Sequence, residues 1–356
     1  MSSHPDPVPG TFPGPSSRPG GSVLIVDDEN PIRDLMSRWL QAGGYSVVSA
    51  AGADEALGLM DAVPQAVALC DIRMPGRDGL WLADRIRQQH PETAVIMATG
   101  VQDMDAAAES LRHGVVDYLT KPFRRDRLRD AVVRGIEWHR TAIESRSWRD
   151  RLEREVEGRY ARVAARLSTL TVDSDEALDR MLAVLTDRNQ ETLAHAGRVA
   201  LLAVRVAQAM RLSADDVAAV RRGALLHDLG KLMMPEALLR KPAPLTRDEQ
   251  AIIRRHTQLG SDLVAAVPFL QPIAAIIRDS QERPDGMGYP AGLHGPDLSA
   301  AARIIAAADA YDTMMRPRVF RDALNPADAL LELDRCSGTQ FDPQVVQVLK
   351  TLVAVH

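Results

Sequence analysis

The sequence is poor in cysteine, in aromatic residues and in long apolar runs, and each shortage excludes a class of protein. Its 356 residues include two cysteines, Cys70 and Cys336, which cannot build a disulfide framework, so a reducing compartment is expected. No apolar run approaches the length of a membrane span. The N-terminus lacks the basic start and apolar middle of a signal peptide. We therefore expect a cytoplasmic protein that does not enter a membrane.

An excess of positive charge is also missing. The chain has 43 Lys and Arg against 48 Asp and Glu, a formal net charge of −5, which argues against DNA as a partner. Aromatic residues make up only 4%, while the 46% hydrophobic fraction is ordinary for a globular protein of two or three domains. Residues 1–21, rich in Pro, Gly and Ser, cannot bury a core and are predicted to be a disordered tail.

Apolar runs alternate with helical patterns over residues 22–137, which predicts an α/β domain with a doubly wound, five-stranded parallel sheet. The expected strands are residues 23–26, 46–49, 66–70, 94–97 and 117–119, and helical patterns include residues 31–42 and 79–89. Ligands of such sheets lie beyond the carboxyl ends of the strands. The polar residues that follow each run are therefore the candidates for chemistry.

Residues 138–173 are predicted to form a helical linker. Apolar side chains recur at spacings of three or four in a stretch without proline, namely Leu152, Val156, Tyr160, Val163 and Leu167. The length of this pattern favours a coiled-coil seam between the two chains of a homodimer, and a helix packed on its own domain is the alternative.

Residues 174–356 are predicted to form an all-α domain. Helical patterns cover residues 176–186, 191–210, 215–227, 247–264, 270–278 and 300–315. One loop, residues 282–298, is rich in Gly and Pro and interrupts the helices. The whole chain is therefore expected to be a multidomain protein, in which a long helix joins an α/β domain to a helical one.

The polar residues after the predicted strands suit a metal ion and a phosphoryl group. Asp27 and Asp28 follow the first strand, Asp71 the third, Thr99 the fourth and Lys121 the fifth. Three carboxylates at one sheet edge would repel one another without a cation, and hard oxygen ligands suit Mg²⁺. The third of these aspartates could act as a nucleophile toward phosphorus.

On these residues, the range 22–137 resembles the receiver domain of response regulators. The resemblance implies that Asp71 is the phospho-acceptor, that the three aspartates hold Mg²⁺, and that Thr99 and Lys121 contact the phosphate. It also implies that Tyr118 is an aromatic switch and that a cognate sensor histidine kinase is a partner. Cys70, next to the acceptor, is interpreted as a small buried apolar residue.

The sharpest motif of the helical domain is His227-Asp228-Leu229-Gly230-Lys231 at the end of an apolar helix. Adjacent His and Asp beside a Lys are costly to desolvate without a purpose. A divalent metal would neutralise the carboxylate and take the imidazole as a ligand. Further candidate ligands are Glu191 and His195, which share one helix face, His256, and Asp309 in an apolar stretch.

The motifs of residues 175–356 resemble the HD superfamily of metal phosphohydrolases, and more narrowly its HD-GYP branch. Besides those ligands, the matching residues include Lys241-Pro242, Thr246, Thr257, Gly260, residues 283–290, Arg303, Tyr311-Asp312, Arg316-Pro317, Gly338 and residues 341–343. The resemblance implies hydrolysis of cyclic di-GMP with iron or manganese. The implied metal ligands are Glu191, His195, His227, Asp228, His256 and Asp309. The implied substrate contacts are Lys231, Gly288, Tyr289, Pro290 and Arg316, with Lys231 also offsetting charge on the phosphate.

The chain departs from the family just before the 282–298 loop. Where the family has two histidines and a glutamate, this chain has Ser280-Gln281-Glu282. A hydroxyl and an amide oxygen replace imidazole poorly on a transition metal. We therefore expect one ion on His195, His227, Asp228 and Asp309, with two ions as the alternative.

Two functions remain open for the chain. In the first, phosphorylation of Asp71 controls metal-dependent hydrolysis of cyclic di-GMP. In the second, the helical domain is inactive or weak and binds cyclic di-GMP or a partner such as a diguanylate cyclase, because Ser280 and Gln281 replace two ligands.

Overall fold

The computed structural model describes residues 21–100, 114–167, 178, 182, 190–317 and 322–354, without the side chains of residues 190–192. The chain divides into two compact units, Met1–Trp148 and Arg149–His356. Most of the predicted tail and most of the predicted helix at 176–186 lie outside the described residues. Of the helices that the structure describes, none has the length and apolarity that crossing a bilayer requires.

The N-terminal unit contains a five-stranded parallel sheet in the order β2-β1-β3-β4-β5. Its strands are β1 (Ser22–Val26), β2 (Ser46–Ala50), β3 (Val67–Asp71), β4 (Ala94–Gly100) and β5 (Asp117–Lys121). The helices are α1 (Asn30–Gln41), α2 (Ala53–Ala62), α3 (Gly79–Gln89) and the start of α4 (Arg125–Leu167). The predicted doubly wound α/β fold is confirmed.

Alternating side chains of the central strands build two separate apolar layers. Leu24 and Val26 of β1 belong to one core cluster, whereas Val23 and Ile25 belong to the other. Every residue of β3 is buried. Both faces of the sheet are thus covered, which is why its strands have nearly continuous apolar sequences.

The apolar stripe of α4 has a different neighbour from the one expected. Leu152, Val156 and Leu167 are buried in the hydrophobic core of the C-terminal unit, and Tyr160 and Val163 pack against that core. The apolar stripe that was expected to form a coiled-coil seam is therefore covered by the core of the same chain, as in the alternative arrangement. An amphipathic pattern shows that a stripe must be covered but not which apolar surface covers it.

The described part of the C-terminal unit is all-α, as predicted. After α4 come α5 (Gln190–Ala209), α6 (Ala214–Leu226), α7 (Glu236–Leu239), α8 (Arg247–Arg254), α9 (His256–Ala265), α10 (Ala274–Arg278), α11 (Ala300–Met314), α12 (Pro326–Arg335) and α13 (Pro343–Ala354). Short 3-10 turns lie at Leu229–Met233, Gln271–Ile273, Asp279–Gln281 and Gly295–Asp297.

The helix predicted over residues 247–264 is broken in two at Arg255. The Arg255 backbone N–H donates to the Ile252 carbonyl, three residues back, so the α-helical pattern ends there and α9 begins at His256. In the described part of the C-terminal unit, three helices were not predicted, namely α7, α12 and α13. The last two begin with proline after a polar residue, Asn325-Pro326 and Asp342-Pro343, a common helix start that could have located them.

Candidate functional sites

The carboxyl edge of the sheet brings the residues predicted for phosphoryl chemistry together. Lys121 Nζ lies 2.7 Å from Asp27 Oδ2 and 3.0 Å from Asp71 Oδ2. One ligand oxygen from each of Asp27, Asp28 and Asp71 lies within 4.8 Å of the other two. This arrangement can hold a hard divalent cation between carboxylates, with one ammonium group as a neighbour.

Burial sets the protonation chemistry of this edge. It raises the pKa of Asp71, although the hydrogen bond from Lys121 opposes that shift. Burial alone would lower the pKa of Lys121, but its bonds to Asp27 and Asp71 raise it above the ordinary value. The Cys70 thiol is buried and its pKa is raised to about 12, so it is a neutral, apolar neighbour of Asp71.

Three further residues complete the edge. Thr99 is fully buried at the end of β4, where its Oγ1 donates to the Gly100 carbonyl over 3.2 Å. Tyr118 on β5 is 37% exposed, so its ring faces solvent in part. A Cβ at Gly79 would lie 2.0 Å from the Asp71 carbonyl oxygen, so only glycine lets α3 begin this close to Asp71.

Helices of the C-terminal unit bring a second set of predicted ligands together. His195 comes from α5, His227 and Asp228 from the end of α6, and Asp309 from α11. His195 Nε2 lies 3.1 Å from Asp309 Oδ1, and His227 Nε2 lies 3.5 Å from Asp228 Oδ1 and 3.9 Å from Asp309 Oδ1. Ligand atoms of His195, His227 and Asp228 all lie within 4.8 Å of one another.

Three buried atoms of this cluster have no hydrogen-bond partner in the described structure: His227 Nε2, His256 Nε2 and Asp228 Oδ1. His227 Nδ1 lies 2.7 Å from the Ala224 carbonyl and His256 Nδ1 lies 2.9 Å from the Ile253 carbonyl. A carbonyl can only accept, so each Nδ1 donates and a neutral ring presents a lone pair at Nε2. Unpaired imidazole and carboxylate atoms at one point fit a divalent transition metal.

Both carboxylates of the cluster have a lowered pKa, which favours their ionised form. Burial would raise the pKa of Asp228, but Lys231, whose Nζ lies 2.7 Å from the Asp228 Oδ2, holds that pKa well below its ordinary range. Burial also opposes ionisation of Asp309, whose pKa is nevertheless lowered by its bond with His195. Anionic oxygen ligands are thus kept in an apolar setting that would otherwise protonate them.

Asp312 and Arg198 position His195, a role that was not predicted. Asp312 Oδ2 accepts from His195 Nδ1 over 2.7 Å, and Arg198 donates to both Asp312 oxygens over 2.7 and 2.8 Å. This orients His195 Nε2 toward Asp309. Asp312 lies three residues after Asp309 on α11, and that spacing was the signal that could have found it.

The two positions that depart from the family pattern have partners within the chain. Ser280 is buried, and its hydroxyl donates to the Ile277 carbonyl over 2.8 Å. Gln281 Nε2 donates to Asp309 Oδ2 and its Oε1 accepts from the Tyr289 hydroxyl, both over 3.4 Å. Gln281 therefore links a candidate metal ligand to the 282–298 loop.

A close backbone approach places His256 beside the cluster. Gly230, in the 3-10 turn after Asp228, would carry a Cβ only 1.8 Å from the His256 carbonyl oxygen. His256 Nε2 consequently lies 4.0 Å from Asp228 Oδ1. Gly230 of the His227–Lys231 motif is thus needed for close packing against His256, which the sequence motif alone did not indicate.

Buried Glu282 anchors the 282–298 loop. Its carboxylate accepts from the backbone N–H groups of Ala291, Gly292 and Leu293 over 2.6, 3.0 and 3.1 Å. A Cβ at Gly288 would lie 2.4 Å from the Glu282 Cα, so the loop folds back tightly at that residue. Tyr289 and Pro290 follow this turn, and the Tyr289 ring approaches His256 at 6.3 Å between centroids.

Two predicted site residues are not placed at the cluster. Arg316 follows α11 and is exposed, and no described contact joins its side chain to the metal ligands. Glu191 belongs to α5, but its side chain lies outside the described part of the chain.

Comparison with known proteins agrees with this two-part organisation. Residues 23–133 match the response regulator receiver domain and residues 179–345 match the HD domain. The cyclic di-GMP phosphodiesterase response regulator RpfG of Xanthomonas campestris pv. campestris is 31% identical over 336 residues, which cover 93% of this chain and 87% of that protein.

The chain is a response regulator with an HD-domain output. This response regulator is also 29% identical over 334 residues to a cyclic di-GMP phosphodiesterase of Thermotoga maritima, with coverage of 93% of this chain and 90% of that protein. A 3′3′-cGAMP-specific phosphodiesterase of Vibrio cholerae is 31% identical over 178 residues, 49% of this chain and 34% of that protein. Both resemblances inferred from motifs are therefore confirmed at the family level.

Proposed function

We propose that this response regulator hydrolyses cyclic di-GMP in its HD domain, under control of phosphorylation at Asp71. The observation that carries the proposal is the pair of buried, unpaired atoms His227 Nε2 and Asp228 Oδ1. Such atoms are costly to bury unless a ligand satisfies them. Two relatives that match nearly the whole chain are named cyclic di-GMP phosphodiesterases, which supports this substrate.

The donor set supports a single iron or manganese ion on His195, His227, Asp228 and Asp309. When bound, a divalent ion polarises a phosphoryl oxygen and acidifies a coordinated water. Ser280 bonds the Ile277 carbonyl and Gln281 bonds Asp309 and Tyr289. Because hydroxyl and amide oxygens replace imidazole poorly on a transition metal, neither side chain is expected to take the place of an imidazole ligand of a second ion. Two ions per chain, with His256 and Glu191 as further ligands, are the alternative.

Lys231 is the residue best placed to offset charge on the phosphate. It bonds Asp228 over 2.7 Å, yet its side chain remains 38% exposed and so also faces the solvent that a substrate would displace. Gly288, Tyr289 and Pro290 would form one wall of the substrate site. Arg316 would also reach the substrate site if its exposed side chain adopted another conformation.

The receiver domain would take its phosphoryl group from a sensor histidine kinase. Asp71 acts as the nucleophile, with Mg²⁺ on Asp27, Asp28 and Asp71. Lys121, already bonded to two of these carboxylates, would shift toward the phosphoryl oxygens, and Thr99 and Tyr118 would respond to them. We also propose a homodimer and a diguanylate cyclase partner, which the family resemblance suggests.

The test uses full-length protein purified without oxygen. The protein is loaded with Mn²⁺ or Fe²⁺ and given cyclic di-GMP, before and after treatment with acetyl phosphate. We expect linear pGpG or GMP, a rate that changes after phosphorylation, and about one metal ion per chain by elemental analysis. Asp228→Ala should abolish turnover and metal retention.

Ser280 and Gln281 favour a second candidate, an output that binds cyclic di-GMP without cleaving it. Binding without product from the metal-loaded, reduced protein would support this candidate and contradict the first. Recovery of turnover in the double variant Ser280→His, Gln281→His would then show that the missing ligands are the cause. Turnover by the unaltered protein would contradict this second candidate.

A further inference from the structure

Arg254, the last residue of α8, is a cation without an acidic partner beside the HD-domain site. Its side chain is exposed, and within the described structure it makes no ion pair or side-chain hydrogen bond. The neighbouring lysines differ, since Lys231 is bonded to Asp228 over 2.7 Å and Lys241 to Glu249 over 2.5 Å. The charge of Arg254 is therefore available to an anion from solution.

An aromatic ring holds the Arg254 guanidinium in place. Its central carbon lies 5.0 Å from the centroid of the Tyr289 ring, within the range of a cation–π contact. A guanidinium stacked on a ring keeps its in-plane N–H groups free, and these match the oxygens of a phosphate in pairs. The contact also restricts the side chain before a ligand arrives, which lowers the entropy cost of binding.

Tyr289 connects this cation to the candidate metal ligands. The ring packs edge-on against His256 at 6.3 Å. Its hydroxyl donates to Gln281, which in turn donates to Asp309, each over 3.4 Å. Arg254 thus lies one aromatic ring away from the cluster, outside it but next to it.

We propose that Arg254 binds the phosphodiester of a cyclic dinucleotide that is not cleaved, while the other phosphodiester lies at the HD-domain cluster. The inference rests on the proposed function and extends it to substrate choice. A cyclic dinucleotide carries two negative charges, and the cluster with Lys231 accounts for one of them. Arg254 supplies the second cation, so the site selects substrates with two phosphodiesters over substrates with one.

The test compares Arg254→Ala and Arg254→Lys with Arg255→Ala, an exposed neighbour, in the metal-loaded full-length protein. With cyclic di-GMP, Arg254→Ala should raise KM about tenfold and leave kcat within about twofold, because a uniform binding contact is lost. With bis(p-nitrophenyl) phosphate, which has one phosphodiester, all variants should match the unaltered protein. Arg254→Lys should fall between, because lysine keeps the charge but loses the paired donors.

A direct binding measurement separates this inference from the proposed function. Calorimetric titration of the metal-loaded protein with a non-hydrolysable phosphorothioate analogue of cyclic di-GMP should give a Kd about tenfold higher for Arg254→Ala and unchanged for Arg255→Ala. That difference would support the inference even if the unaltered protein showed no turnover, which would contradict only the proposed function.

Several results would overturn the role of Arg254. Equal losses of activity on both substrates would mean instead that Arg254 acts at the reacting centre or supports the fold. A loss with cyclic di-GMP but not cyclic di-AMP would mean that it contacts the base. No change in KM or Kd, or no binding by the unaltered protein, would also reject it.

Discussion

The receiver edge and the HD-domain cluster differ in how completely the chain itself satisfies their buried polar atoms. At the receiver edge, Lys121 already bonds Asp27 and Asp71, so the buried carboxylates have a cationic partner from the chain itself. In the HD domain, Asp228 Oδ1 and two imidazole nitrogens are buried without a partner among the described residues. We therefore expect the stability of the HD domain to depend more strongly on a bound ion than that of the receiver does.

The largest expected effect concerns the receiver alone. Asp71→Asn should abolish phosphorylation by acetyl phosphate, because an amide is not a nucleophile toward phosphorus and cannot form the acyl phosphate. Intact-mass spectrometry would show the absence of the added phosphoryl group. Asp54→Asn, a change of an exposed carboxylate paired with Arg77, should leave phosphorylation intact. Phosphorylation of Asp71→Asn would mean that another residue is the acceptor.

Removal of metal should destabilise the HD domain more than the receiver domain. Chelation should lower the free energy of unfolding of the HD domain by about 3 kcal/mol, if the ion had been present at about a hundred times its Kd. The receiver should change much less, because Lys121 remains. A similar loss in both domains would contradict the contrast between the two sites.

The positions of the tryptophans make this measurement selective. All four, Trp39, Trp81, Trp138 and Trp148, lie within residues 1–148. Their fluorescence therefore reports on the N-terminal unit. The HD domain contributes most of the helix signal in circular dichroism. After chelation, the thermal transition followed by dichroism should shift downward while the fluorescence transition stays nearly unchanged.

Close backbone contact at the HD-domain cluster can be tested with one methyl group. Gly230→Ala would force a Cβ to 1.8 Å from the His256 carbonyl oxygen, so the backbone must move. We expect a loss of about 1–3 kcal/mol in the free energy of unfolding and weaker metal binding. Gly197→Ala is the matched control, since nothing lies within 4 Å of its added Cβ. It should be neutral or stabilising by about 0.5–1 kcal/mol. Equal denaturation midpoints for the two variants would show that Gly230 does not position His256.

The smallest effect concerns an ion pair away from both metal sites. Burial would raise the pKa of Asp342, but the Val345 N–H and Arg303, 2.6 Å away, lower it below its ordinary value. A lowered folded-state pKa stabilises the HD domain above the unfolded value of roughly 4, and this contribution is lost as the pH falls through the folded value.

The variant Asp342→Asn should remove this acid dependence. It should cost the HD domain about 1 kcal/mol at neutral pH, a small value because solvent screens a partly exposed pair. Denaturation at pH 7 and near pH 3 should show that the two proteins differ less in acid. A constant difference across that range would mean that Asp342 acts through packing rather than charge.

Much of the receiver could be predicted from the sequence because its strands are buried on both faces. Runs such as residues 23–26 were apolar throughout, and the carboxyl ends of parallel strands must share an edge. We therefore expected Asp27, Asp71 and Lys121 to lie close together. Lys121 Nζ lies 2.7 Å from Asp27 Oδ2 and 3.0 Å from Asp71 Oδ2, in agreement with that expectation. Periodicity and topology were sufficient there, without knowledge of any side-chain contact.

The HD domain was less predictable because contacts between helices depend on which faces meet. The sequence indicated the stripe at Leu152 and Val156 but could not show that its partner is the core of the same chain. Nor could it show that α8 ends at Arg254 or that Asp312 orients His195. Such features depend on packing between residues distant in the chain.

By itself, the sequence determined the two fold classes and indicated the candidate residues of the receiver edge and the candidate ligands His195, His227, Asp228 and Asp309, because motif and periodicity are local. Only the tertiary structure decided that Ser280 and Gln281 bond to other groups, and that Arg254 lies on the Tyr289 ring without an acidic partner. The physical reason is that a local pattern selects which side chains are polar or buried. The partner that each side chain reaches is set by the packing of the whole domain.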